Sequence, residues 1–221
     1  MATEEASPKA TRRLYHFLSL QHALTDIALS RIRVSRFHEL NDPYELLAAN
    51  VGPPAVRKAV LANREKIDSN RGIVCFTKEY KRPILWSHYA DKHRGVCLGF
   101  DVSAEHAMDI KYVKERIPLI DELGRPADED AIAEMYTSKD EDWSYEGEVR
   151  MHVDLAGLPM EGGHYFLPFR PGVELREVLL GPRCQIPLQT MRDLVNRIHT
   201  EVSVCKTDLA FKWFAVVPLK E

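Results

Sequence analysis

The feature that most restricts how this chain can fold is a set of short period-two runs joined by connections of irregular length. In GEVRMHVD, residues 147–154, Val149, Met151 and Val153 face one way and Glu148, Arg150 and His152 the other. RIRVSRF at 31–37 sets Ile32 and Val34 against Arg33 and Ser35, and LYHFLSL at 14–20 puts Leu14, His16 and Leu18 on one face. GIVCFT (72–77), GVCLGFDV (95–102) and VELREVLLG (173–181) read as buried strands, and KWFAVVPL (212–219) as a closing strand.

Helical patterns interleave with these runs. Ser19 is placed to cap a helix in which Leu20, Ala23, Leu24 and Ile27 recur. AVRKAVLANREKI at 55–67 reads as an amphipathic helix, and PILWSHYA at 83–90 as a short one with proline at its first position. Ser103 is expected to cap a further short helix, and PADEDAIAEMY at 126–136 to form another. LQTMRDLVNRIH at 188–199 would bury Leu188, Met191, Leu194, Val195 and Ile198. No GxGxxG or GxxxxGK[ST] joins a strand to a helix, which argues against a doubly wound nucleotide fold. The expectation is an α+β single domain over 14–221, with a curved or split, mainly antiparallel sheet flanked by helices, behind a loose tail at 1–13.

The 221 residues are 45% apolar and 29% charged, enough for a globular core, and the formal net charge is -3. That balance carries no strong nucleic-acid signal and does not point to an anionic membrane. No apolar run approaches the ~20 residues of a spanning helix, and the polar N-terminus has no apolar stretch of the secretory kind. Cys75, Cys97, Cys184 and Cys205 are widely spaced, so they read as free thiols of a reducing, cytoplasmic setting. No cysteine is assigned as a nucleophile.

Four segments carry more polar and aromatic detail than a core requires. His16 is either an inward histidine satisfied by a backbone carbonyl or a ligand contact. Asn41-Asp42-Pro43 is good turn chemistry, and Arg36 before it either meets an anion or is a solvated edge. Trp86, His88 and Tyr89 come next, with His88 and Asp91 three apart on an expected helix face. Trp86 or Tyr89 could stack on a flat ring, although aromatics there are more often core. Glu146 and Glu148 share strand spacing beside Arg150: either one carboxyl has a raised pKa, or the face is solvated and Glu148–Arg150 is a weak surface ion pair. His88, His93, His152 and His164 show neither HxH nor HExxH spacing, and no metal ligands are assigned.

These segments, LYHF (14–17), LNDPYE (40–45), CFT (75–77), LWSHYADKHRGVCLGFD (85–101) and YEGEVR (145–150), resemble in order a large bacterial family of unknown function. Val149 stands where that pattern has tryptophan. The opening strand with Tyr-His-Phe, a helix, and a strand ending in Ser-Arg is also similar, more distantly, to the ADP-ribosyltransferase superfamily. That resemblance implies an NAD-using transferase, as a toxin or phage-defence effector, with NAD or another nucleotide as partner and an unspecified acceptor. It implies that His16 holds a ribose of NAD, Tyr89 stacks on nicotinamide, Arg36 meets the pyrophosphate, and Glu148 stabilises the oxocarbenium-like transition state. Asn41, Trp86 and His88 are further candidates for contact with the nucleotide. The alternatives are a ligand-binding or sensor module in which those three brace the fold, and a metal-dependent hydrolase or nuclease using His88, Asp91 and Glu148.

Overall fold

The structure is a computed structural model that describes residues 10–52, 54–119 and 134–219. In chain order its strands are β1 (Thr11–Leu18), β2 (Arg31–Val34), β3 (Ala49–Asn50), β4 (Arg71–Thr77) and β5 (Val96–Ser103). They continue as β6 (Met108–Asp109), β7 (Lys111–Val113), β8 (Ile117–Pro118), β9 (Ser138–Asp140) and β10 (Glu148–Asp154). The last are β11 (Met160–Glu161), β12 (His164–Pro168), β13 (Val173–Leu180), β14 (Ser203–Leu209) and β15 (Val216–Pro218). The longer helices are α1 (Leu20–Ala28), α2 (Pro54–Asn70), α3 (Pro83–Tyr89) and α4 (Leu188–Ile198). The α+β class holds, and most strand pairs are antiparallel.

The chain packs as two compact units, each built from separated segments. The first comprises Met1–Ala28, Lys78–Ala107 and Phe169–Glu221. Its strands run in the order β15-β14-β13-β5-β1, with β13 and β14 parallel and the other neighbours antiparallel. Ser19 accepts a 3.4 Å hydrogen bond from the His22 backbone N–H, so the expected cap of α1 forms. Ala23, Ile27, Met191 and Val195 are buried where α1 and α4 carry their apolar stripes. Two glycines let backbones meet in this unit. A Cβ on Gly95 would lie 2.0 Å from the Leu18 carbonyl oxygen, and one on Gly181 would lie 2.3 Å from that of His93.

The second unit comprises Leu29–Thr77 and Met108–Pro168. It holds the antiparallel run β4-β10-β6, the antiparallel set β11-β12-β2, and the small parallel pairs β3-β8 and β7-β9. Phe37, Leu46 and Ile73 form an apolar cluster there, with Leu40, Ile67 and Tyr136 against it.

Several local expectations change. Structure begins at Thr11, because β1 already pairs Thr11 with Ser103. The helix α2 fully buries none of its side chains; of its apolar residues Ile67 packs, half-buried, against the cluster, while Leu61 stays exposed. Ser103 precedes a 3-10 turn, Ala104–His106, but its side chain makes no capping bond. The helix expected over 126–136 falls largely outside the described residues; its end, 134–137, is helical. The closing strand starts only at Val216, and Ser203–Leu209 before it is a strand that apolar alternation did not reveal.

Candidate functional site

Strand β10 opens at Glu148, and both of its faces are covered over Glu148–Met151. The solvated face expected for Glu148 and Arg150 is therefore an interior. Arg150 is 1% exposed and Glu148 is 4% exposed. Strand geometry points residues two apart the same way. Arg150 thus grips Glu148 twice, Nε to Oε1 at 2.7 Å and Nη2 to Oε2 at 3.0 Å. The same Nη2 donates to Glu45 Oε1 at 2.6 Å. Lys139 of β9 sends its ammonium to Glu146 at 2.7 Å, Glu148 at 3.3 Å and Glu45 at 3.6 Å.

Local geometry brings these groups to one point. The 3-10 helix Glu141–Glu146 ends on Gly147 at φ 52, a left-handed turn that returns the chain into β10. Thr77 donates its hydroxyl to the Glu146 carbonyl at 2.7 Å, which ties that turn to β4. Glu146 therefore does not share a strand with Glu148; the two carboxylates converge from opposite sides of Gly147 onto Lys139. The Asn-Asp-Pro turn forms as expected. Asp42 accepts from the Tyr44 N–H at 2.9 Å through its side chain and from the Glu45 N–H at 3.2 Å through its carbonyl. The turn delivers Glu45 inward.

Three carboxylates against two cations leave the cluster one negative charge in excess when all are ionised. Burial alone would push the Glu148 carboxyl up, but Arg150 and then Lys139 more than offset it and hold it below its usual range. Glu148 is therefore not a carboxyl of raised pKa, one of the two alternatives read from the Glu146–Glu148 spacing. Glu45 is the member that is raised, because its burial outweighs its single strong partner, Arg150. Lys139 stays charged despite burial, held by Glu148 and Glu146. Its ammonium fills the place between the carboxylates that a metal ion would need. Among the described residues no group of three or more His, Cys, Asp and Glu is arranged to hold one.

Above this cluster is a hollow of about 230 Å³. Asp42, Glu45, Ser138 and Lys139 line it, as do Leu47 and Val113, and the rim carries Lys114, Glu115, Arg116 and Asp140. Arg116 lies 4.9 Å from the centre of the Tyr44 ring, a cation–π contact that makes one wall. Ser138 is 5% exposed, and its hydroxyl has no hydrogen-bond partner among the described residues. A buried polar atom without a partner costs free energy unless something completes it.

The residues singled out from sequence divide between the units. Arg36, Asn41 and Glu148 belong to the second; His16, Trp86, His88 and Tyr89 belong to the first. Trp86 is fully buried, edge-on to Phe17 at 5.1 Å, with its indole N–H on the Tyr80 carbonyl at 2.5 Å, so no ring face is open to a cofactor. His16 is half-buried in β1 opposite Leu98. Tyr89 is half-buried and His88 exposed at the end of α3. The shared face of His88 and Asp91 does not exist. The helix stops at Tyr89, and Asp91, Lys92 and His93 follow at φ 43, 55 and 71. Three consecutive non-glycine residues in the left-handed region cost roughly 1–2 kcal/mol each. The carbonyl of Trp86 receives the N–H groups of both Ala90 and His93, and so holds them there. Asp91 pairs with Arg94 instead. Asn41 is exposed, and Arg36 lies 3.8 Å from Glu39, which also accepts from the Arg36 backbone N–H at 2.9 Å.

Sequence reasoning missed Glu45, Ser138 and Lys139. Glu45 stood inside the quoted NDPYE motif and was legible as a charge next to a turn; Ser138 and Lys139 carried no signal. What the geometry defines is an α+β unit with a small hollow of mixed polar and apolar lining, floored by a buried ionic cluster. No protein-family model, no curated protein and no solved structure matches the chain.

Proposed function

We propose that the second unit is a binding module for a small polar molecule bearing a positive charge, seated in the hollow over Glu45. The observation that carries this reading is a hollow lined together by Asp42, Glu45 and Ser138, whose buried hydroxyl has no hydrogen-bond partner among the described residues. A ligand amine or guanidine would supply the donor that Ser138 lacks and offset the excess negative charge of the floor. The volume suits a molecule about the size of an amino acid. Binding rather than transfer is favoured because both oxygens of Glu148, the carboxylate assigned to the transition state, are already engaged by Arg150 and Lys139.

Thermal-shift and calorimetric titration with agmatine, L-arginine, L-glutamate, AMP and NAD tests this. The cationic probes should stabilise the protein. Ser138→Ala should leave the unliganded melting temperature unlowered or raise it slightly, since an unpartnered buried hydroxyl is removed, while weakening binding about five-fold. A panel without a cationic binder would overturn the proposal. So would NAD turnover that Glu148→Gln abolishes, which would restore the transferase reading.

A further inference from the structure

The connection between β14 and β15 in the first unit is a six-residue loop closed by the Ala210 N–H on the Ala215 carbonyl at 2.9 Å. Its four central residues, Phe211-Lys212-Trp213-Phe214, all face solvent. Phe211 is 98% exposed, Trp213 63% and Phe214 100%. Leu209 and Leu219, at the feet of the loop, are each half exposed. Rings this bare have no protein wall around them, so the loop is a projection and not a groove. Isolated apolar side chains on a surface are ordinary, but a contiguous aromatic tip marks something that covers it.

The composition of the tip favours one kind of cover. Tryptophan and phenylalanine beside lysine is the set that settles at a bilayer–water interface, with rings among the acyl boundary and the ammonium among headgroups. Cationic charge continues next to the loop. The Val216 N–H bonds the Lys81 carbonyl at 2.8 Å, which brings the exposed Lys81 to the start of β15; Arg82 beside it is paired with Glu79 at 2.8 Å. A lipid surface accepts a projection without a matching cavity. A second copy paired through the sheet edge is less suited, because β15 has three residues and ends in Pro218, which has no N–H to donate. We infer that the Phe211–Phe214 loop docks the protein on a bilayer surface carrying anionic lipids. No helix among the described residues is long and apolar enough to cross a membrane, and the inferred docking is through the loop alone. Neither spanning length nor net charge, the two grounds on which no membrane partner was expected, bears on such a loop.

Co-sedimentation of the full chain with vesicles of phosphatidylcholine alone, and with added phosphatidylglycerol, tests the inference. Binding should be stronger to the anionic vesicles. Phe211→Ser, Trp213→Ser and Phe214→Ser together should weaken it at least ~tenfold without lowering the melting temperature. Lys212→Glu should weaken binding about fivefold on anionic vesicles only. Absence of binding to both vesicles, or binding that the triple variant retains, would overturn it. A dimer in sedimentation velocity that the triple variant dissolves would also overturn it and assign the loop to a second copy.

Discussion

Arg150 and Glu45 stand 105 positions apart in the chain and 2.6 Å apart in the fold. With Lys139 they join the Asn-Asp-Pro turn, β9 and β10 through charge in an almost water-free interior. Removing one member of such a set leaves its partners uncompensated. Arg150→Met should therefore destabilise by about 3–5 kcal/mol, read as a fall in the urea midpoint. Arg150→Lys should recover little, since one ammonium cannot hold Glu148 by two bonds and reach Glu45 as well. A loss below about 1 kcal/mol, typical of a surface pair, would contradict the buried assignment.

His152 sets a pH dependence with a definite sign. Burial, then Arg150, depress its pKa from 6.5 to about 4. The unfolded chain binds the proton more readily across that window, so stability is full above pH 6.5 and falls as pH drops toward 4. The contribution amounts to roughly 3 kcal/mol. Glu148, held below its usual range, loses its contribution further into acid; Glu45, raised, works in the opposite direction. Urea unfolding at pH 4.5, 5.5 and 7 should show the slope, and His152→Gln should flatten it above pH 5.

Gly95 admits no side chain. Its Cβ would meet the carbonyl oxygen of Leu18 and also lie 2.9 Å from the Ala90 carbonyl carbon, and neither is a flexible tip. Gly95→Ala should cost about 3 kcal/mol or more or prevent folding. Gly157→Ala is the control. Unlike Gly95 it has a positive φ, 78, but it has nothing within 4 Å of a Cβ among the described residues, so its cost should stay near 1 kcal/mol. Thermal melts of the two variants separate crowding from backbone strain.

Cys75 and Cys97 should resist alkylation. Cys97 is buried and Cys75 half-buried; loss of water pushes both thiols well above their ordinary range, and at Cys75 the neighbouring Glu148 adds to the effect. Mass spectrometry after iodoacetamide at pH 8 should find neither modified in the native protein and both modified in urea. Labelling of native Cys75 at the rate of a free thiol would show that the ionic cluster opens to solvent.

What the sequence by itself determined is the local layer. Ser19 caps α1, Pro83 starts α3, Asp42 folds its own turn, and Glu148 and Arg150 share one face of a strand. Each depends on dihedral preference or on bonds spanning a few residues, and such short-range geometry repeats wherever the residues occur. The α+β class followed from the period of those same runs. Only the tertiary structure decided which faces lost water. It buried the polar face of β10 and left α2 without a fully buried side chain. It enclosed Trp86 and left Phe214 bare. Desolvation depends on neighbours brought from distant parts of the chain, so the spacing that revealed the Glu148–Arg150 pair could not reveal Glu45 and Lys139, the partners that turned it from a surface contact into the floor of a site.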